Sequence, residues 1–203
     1  MTPFSRDEIE FLKQAAVFSW KEQLTRKIQL IFETLHDELA ARLDSETLLA
    51  PAEMDFSRWQ VVRGERFEEL PYAYLDFPQA FSRRNKFAYR SMFWWGHGFF
   101  FAMILEGEHL DHYRRNLLDA YECLADRGLM LSLAETPWTW AHRGPNVLAL
   151  RSDNRGEVAD ALAQRTFLKL QSFLDFDRLL GQEDVVMRQA AETFELLRPV
   201  VRR

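Results

Sequence analysis

The sequence predicts an α+β domain: a mainly antiparallel β-sheet with a long N-terminal helical segment, a middle helix and a C-terminal helix packed on it. Three observations carry that expectation. Apolar residues recur at helical spacing over residues 5–43, and rings and β-branched residues alternate between Gly and Pro punctuation over 59–105. Beyond residue 106, helical and strand-like stretches interleave, without the regular strand–helix alternation of a parallel sheet.

The N-terminal helix opens with Ser5 and Glu8 at capping-box spacing, where hydroxyl and carboxylate each satisfy a free backbone N–H. Ile9, Leu12 and Ala16 form its first stripe, and Leu24, Ile28, Ile31, Leu35 and Leu39 continue it. Ser19 and Glu22 repeat the capping spacing, so a joint is expected near residues 17–19. Residues 1–44 then form a helical arm or helical layer of one domain spanning 1–203. An amphipathic helix of this length must lie on its own sheet or on a partner, and the second case implies a homo-oligomer through the N-terminal helices.

Four strands are expected next. "WQVVRGERF" (59–67) and "LPYAYLDFP" (70–78) are aromatic and β-branched. "NKFAYRSMFWW" and "HGFFFAMILEG" form a hairpin turned at Gly96–Gly98. Both faces of the third strand are apolar, as in a central strand covered on both sides, and helices are the expected cover. The middle helix is expected over about 108–127, with Leu110, Tyr113, Leu117, Tyr121 and Leu124 on one stripe and Gly128 as its stop. "LMLSLAETP" and "NVLALR" read as strands around an aromatic loop, and residues 157–164 as a short helix. "TFLKLQSFL" is read as a strand across 167–174, and a closing helix covers about 183–197 before Pro199.

Composition narrows the functional classes. The 203 residues are 47% hydrophobic and 14% aromatic, enough for a core without staples. A net charge of −5 argues against nucleic acid as a partner, because that binding neutralises phosphates with Lys and Arg. The single cysteine, Cys123, excludes an intramolecular disulfide and reads as a small packing residue. The most apolar run, Met92–Leu105, is too short to span a bilayer, and "MTPFSRDEIEF" does not resemble a secretion signal. A soluble cytoplasmic protein without a membrane partner is the expectation.

Gly96-His97-Gly98 lacks the third glycine and the following helix of a dinucleotide fingerprint, so the turn geometry alone explains it. No nucleophile elbow, phosphate loop or Cys-x-x-Cys occurs. The densest set of metal-ligating types is Glu106, Glu108, His109, Asp111 and His112. Glu108, His109 and His112 could ligate a metal in a metal-assisted hydrolase, although acids in a helix's first turn also suit the helix dipole. The favoured reading is non-catalytic and needs no cofactor: an aromatic-lined pocket for a small ligand or partner. His97 lies beside Trp94, and His142 beside Trp138 and Trp140. Tyr72, Tyr74, Asp76 and Arg90 lie on strands able to pair nearby. An arginine in an apolar strand needs an acceptor, Asp76 or Glu65, or awaits an anionic ligand.

Overall fold

The computed structural model describes residues 2–182 and 184–203 of the chain. Met1 and Glu183, the first residues of the expected arm and of the expected closing helix, lie outside the described residues.

Helix α1 spans Arg6–Leu12 and starts with the expected capping box: Ser5 Oγ accepts from the Glu8 N–H, and the Glu8 carboxylate accepts from the Ser5 N–H. Helix α2 spans Ala15–Arg42. The joint lies at Lys13–Gln14 rather than near 17–19, because Ser19 caps nothing: it sits inside α2, its hydroxyl accepting from the Gln23 side chain. The buried face of α2 is formed by Ile28, Phe32, Leu35 and Leu39. Each such side chain contributes about 1.5–3 kcal/mol on burial.

The sheet comprises β1 (Gln60–Phe67), β2 (Leu70–Phe81), β3 (Lys86–Trp94), β4 (Gly98–Glu106), β5 (Met130–Ser132), β6 (Val147–Ala149) and β7 (Phe167–Asp175). Among the described residues these form one seven-stranded sheet in the order β1-β2-β3-β4-β7-β5-β6, every neighbouring pair antiparallel. Thus 167–174 is a strand, as expected, and it lies inside the sheet between β4 and β5. Strand β2 runs beyond the expected Pro78, because a register shift between Asp76 and Gln79 carries the proline, which has no N–H for the ladder.

The expected middle helix is two pieces, α3 (Leu110–Asp119) and α4 (Tyr121–Leu124), parted at Ala120. Helix α5 spans Arg155–Ala163, α6 spans Val185–Leu197, and a final 3-10 turn covers Arg198–Val201. Cys123 is exposed, a departure from the packing role expected of it: Tyr121 and Leu124 point inward and leave position 123 on the outer side.

Alternation along the central strands separates two faces. On one, Phe87, Tyr89, Phe93, Phe99, Phe101, Met103, Leu105, Leu168, Leu170 and Leu174 meet α2, α3 and α6. On the other, Met92, Trp94, Phe100, Ala102 and Ile104 form a second cluster with Trp140. Helices were expected over both faces, but the second is covered by rings from β1 and β2 and by the loop over 133–146. Side chains of β7 hold that loop: Lys169 Nζ donates to the Pro137 and Thr139 carbonyls at 3.1 and 2.9 Å, and Gln171 Nε2 to the Ala141 carbonyl at 2.5 Å. Alternate residues of the strand bind alternate carbonyls of the loop, so a segment without ladder partners still has its buried acceptors satisfied. No described helix is long and apolar enough to cross a membrane.

Candidate functional site

All nine residues singled out on the strands and loops lie on this second face, in three linked groups. In the first, Asp76 and Arg90 are cross-strand partners. Arg90 Nε and Nη2 donate to the Asp76 carboxylate at 2.7 and 2.6 Å, a bidentate geometry. The guanidinium lies 3.7 Å from the Tyr74 ring centroid and 5.2 Å from that of Trp138, held between two aromatic planes. Glu65, the other acceptor considered for Arg90, binds Lys21 instead. Burial pushes the Asp76 carboxyl above the usual carboxylate range, against the opposing hydrogen bonds and charge of Arg90.

The second group sits at the hairpin turn. His97 stacks on Trp94 with centroids 3.6 Å apart, and Phe67 packs edge-on against both Trp94 and Tyr72. The Trp94 indole donates to the Phe67 carbonyl at 3.2 Å. Tyr72 lies across Gly64 of the edge strand, where a Cβ would stand 2.4 Å from the ring, so the glycine is what lets the ring lie flat on the sheet.

The third group lies under the loop. His142 stacks on Phe173 at 3.9 Å and Trp140 meets Phe100 edge-on at 5.4 Å. Burial, then Arg143 and His97, hold the His142 pKa below its ordinary value, so its ring is neutral at neutral pH. Lys169 Nζ stands 3.4 Å from the Trp140 ring centroid and the residue is fully buried. Desolvation, then the charge of Arg90, push its pKa well down. Lys169 and Gln171 were not singled out from the sequence, although a lysine alternating with a glutamine in "FLKLQSFL" is the signal that could have found them.

The acidic segment has a different character. Asn85 accepts from the Glu108 N–H at 3.0 Å, His109 Nε2 lies 3.5 Å from Glu108, and His112 sits on the first turn of α3. Among the described residues, no three His, Cys, Asp or Glu side chains converge as a metal would require.

A concave feature lies on the helical side, at the turn end of the β3–β4 hairpin. It holds about 610 Å³ between α2, the strand ends and the segment after β7. Its wall is apolar and aromatic: Ile28 and Ile31 from α2, Phe93, Trp95 and Phe99 from the hairpin, and Phe176 beyond β7. Phe93 packs within 6 Å of Trp95, Phe99 and Phe176, which makes the floor a single aromatic cluster. Leu24, Leu179 and Val186 complete the wall, and Lys27 and Gln182 are its polar residues. A volume of this size with an apolar wall and few polar groups has the character of a small-ligand or anchor-residue site. Sequence reasoning missed it because its wall is drawn from three separate parts of the chain.

No protein-family model, curated protein or solved structure matches this chain.

Proposed function

We propose that the protein is a non-catalytic binding protein whose seat is the aromatic pocket between α2 and the β3–β4 hairpin. The observation that carries this reading is the pocket wall of Ile28, Ile31, Phe93, Trp95, Phe99 and Phe176, open beside the exposed apolar residues Leu24 and Leu180. Contiguous apolar surface left in contact with water marks a place where something docks. The occupant is an apolar ligand or an apolar segment of a partner, and α2, which lines the pocket at Leu24, Lys27, Ile28 and Ile31 and continues past it toward the N-terminus, makes homo-oligomer formation one form of this binding.

The test uses 1-anilinonaphthalene-8-sulfonate, an apolar dye that fluoresces when desolvated. At nanomolar protein, where any self-association is dissociated, the dye binds the folded protein saturably, with energy transfer from Trp95 that Trp95→Phe diminishes. Ile31→Arg, which puts a charge in the pocket wall, abolishes binding while near-UV circular dichroism stays native. Absence of binding, or binding unchanged by both variants, would overturn the proposal.

A second reading places a small ligand on the opposite face, among Tyr72, Tyr74, Trp94, His97, Trp138, Trp140 and His142. It is favoured by the Gln171 Oε1 atom, buried under the loop without a hydrogen-bond donor among the described residues. In this reading a donor group of the ligand meets Gln171, and the tryptophans of the loop report its arrival. Tryptophan fluorescence during titration with a panel of anionic and aromatic metabolites tests it: a saturable change lost in Gln171→Leu supports it, and a flat response across the panel counts against it.

A further inference from the structure

The N-terminal arm carries large apolar side chains yet buries none of them. Neither α1 nor the part of α2 before Ile28 has a buried residue. The series Val17, Leu24, Ile28, Leu35, Leu39 keeps one helical face, its spacings alternating seven and four residues. That face is buried from Ile28 onward and exposed before it. The stripe therefore overruns the sheet of its own chain. Phe4, Phe11, Phe18 and Trp20, 73%, 54%, 63% and 65% exposed, surround the overhang with rings.

An isolated helix of seven residues is not stable in water, because so few hydrogen bonds cannot offset the cost of nucleation. Joined to α2 only through Lys13–Gln14 and without a buried residue of its own, α1 is stabilised by anything that covers it. Resting on the binding reading above, we infer that the occupant of the aromatic pocket is the N-terminal arm of a second copy of this chain, exchanged reciprocally across a two-fold axis.

Three observations converge on a second copy. Arm and pocket are adjacent on one molecule and both are apolar, so a two-fold covers both surfaces on both copies at once, which is the self-complementarity of an isologous interface. The area suffices: four rings of roughly 200 Å² each, about two-thirds exposed, supply on the order of 1,000 Å² across a dimer before any aliphatic or pocket surface is added. Standard interfaces bury about 1,200–2,000 Å² in total. The charges also match, since α1 carries Asp7, Glu8 and Glu10 against one arginine, and the charged residue of the pocket is Lys27.

The test is the mass in solution of the full chain, by sedimentation equilibrium, for wild type and two variants. Phe11→Glu with Leu12→Glu charges the arm, and both positions are exposed, so folding is untouched. Ile31→Arg blocks the pocket. Wild type is a dimer at micromolar concentration, and each variant dissociates at least about 100-fold more readily, because charges are forced into an apolar contact. Mixing the variants restores a heterodimer, since one supplies an intact arm and the other an intact pocket. A monomeric wild type, or variants as dimeric as wild type, would overturn the inference. The dye separates this from failure of the binding reading: binding to the arm variant leaves an apolar small molecule or another protein as occupant, whereas loss of binding there removes the pocket itself.

Discussion

Removing the Asp76 carboxylate asks how much the second face depends on one ion pair. Asp76 is 1% exposed and Arg90 7%, so Asp76→Ala leaves a guanidinium out of water with only the Tyr74 and Trp138 rings for company. Breaking one side of a buried pair costs about 3–5 kcal/mol, because the remaining charge keeps its desolvation penalty and loses its partner. For a chain of this size each kcal/mol moves the melting temperature by roughly 2–4 °C, so Tm falls by about 6–20 °C. Replacing both partners by apolar residues, Asp76→Leu with Arg90→Met, removes the stranded charge and recovers most of that loss. Urea unfolding of wild type, both single variants and the double variant, followed by tryptophan fluorescence, gives the full cycle. A loss below about 1 kcal/mol in Asp76→Ala, with native near-UV dichroism, would refute a pair sequestered from water.

Two other positions give independent checks. Lys169 has its pKa pushed far down by burial, so over the range between its folded pKa and the ordinary lysine value the unfolded chain binds the extra proton. Stability attributable to Lys169 therefore rises with pH: wild type gains on Lys169→Met between about pH 7 and pH 10 in denaturant titrations, and parallel profiles would contradict this. Gly98 has φ of 149°, and an added Cβ would meet the Leu174 carbonyl at 2.4 Å. Gly98→Ala thus parts β4 from β7 at the hairpin and costs about 2–3 kcal/mol, read as a lower urea midpoint; a midpoint within error of wild type would contradict the close approach.

Features encoded locally were legible in the sequence. The Ser5–Glu8 cap, the Ile28–Leu39 stripe and the alternating strands each depend on residues a few positions apart, and each lies where its spacing implied. The convergence of Tyr74, Asp76 and Arg90 followed from antiparallel pairing of adjacent strands. What was missed depends on distant partners. Only the capture of the loop carbonyls by Lys169 and Gln171, some thirty residues away, decides that a loop rather than a helix covers the second face. The aromatic pocket likewise joins α2, the β3–β4 hairpin and the segment after β7, and no single window of sequence contains it. The position of the break in the N-terminal helix escaped for a smaller reason: Ser19 has the side chain of a cap but binds Gln23 within a continuous helix.

The measurement that bears most directly on the central claim is amide hydrogen exchange of residues 6–27 as a function of protein concentration. Without a partner these residues have no buried contacts and exchange close to the rate of an unfolded chain. With the arm seated in the pocket of a second copy, their protection rises with concentration and falls on dilution, while the core strands β3, β4 and β7 keep constant protection throughout. Arm amides that remain unprotected at every concentration would contradict the account.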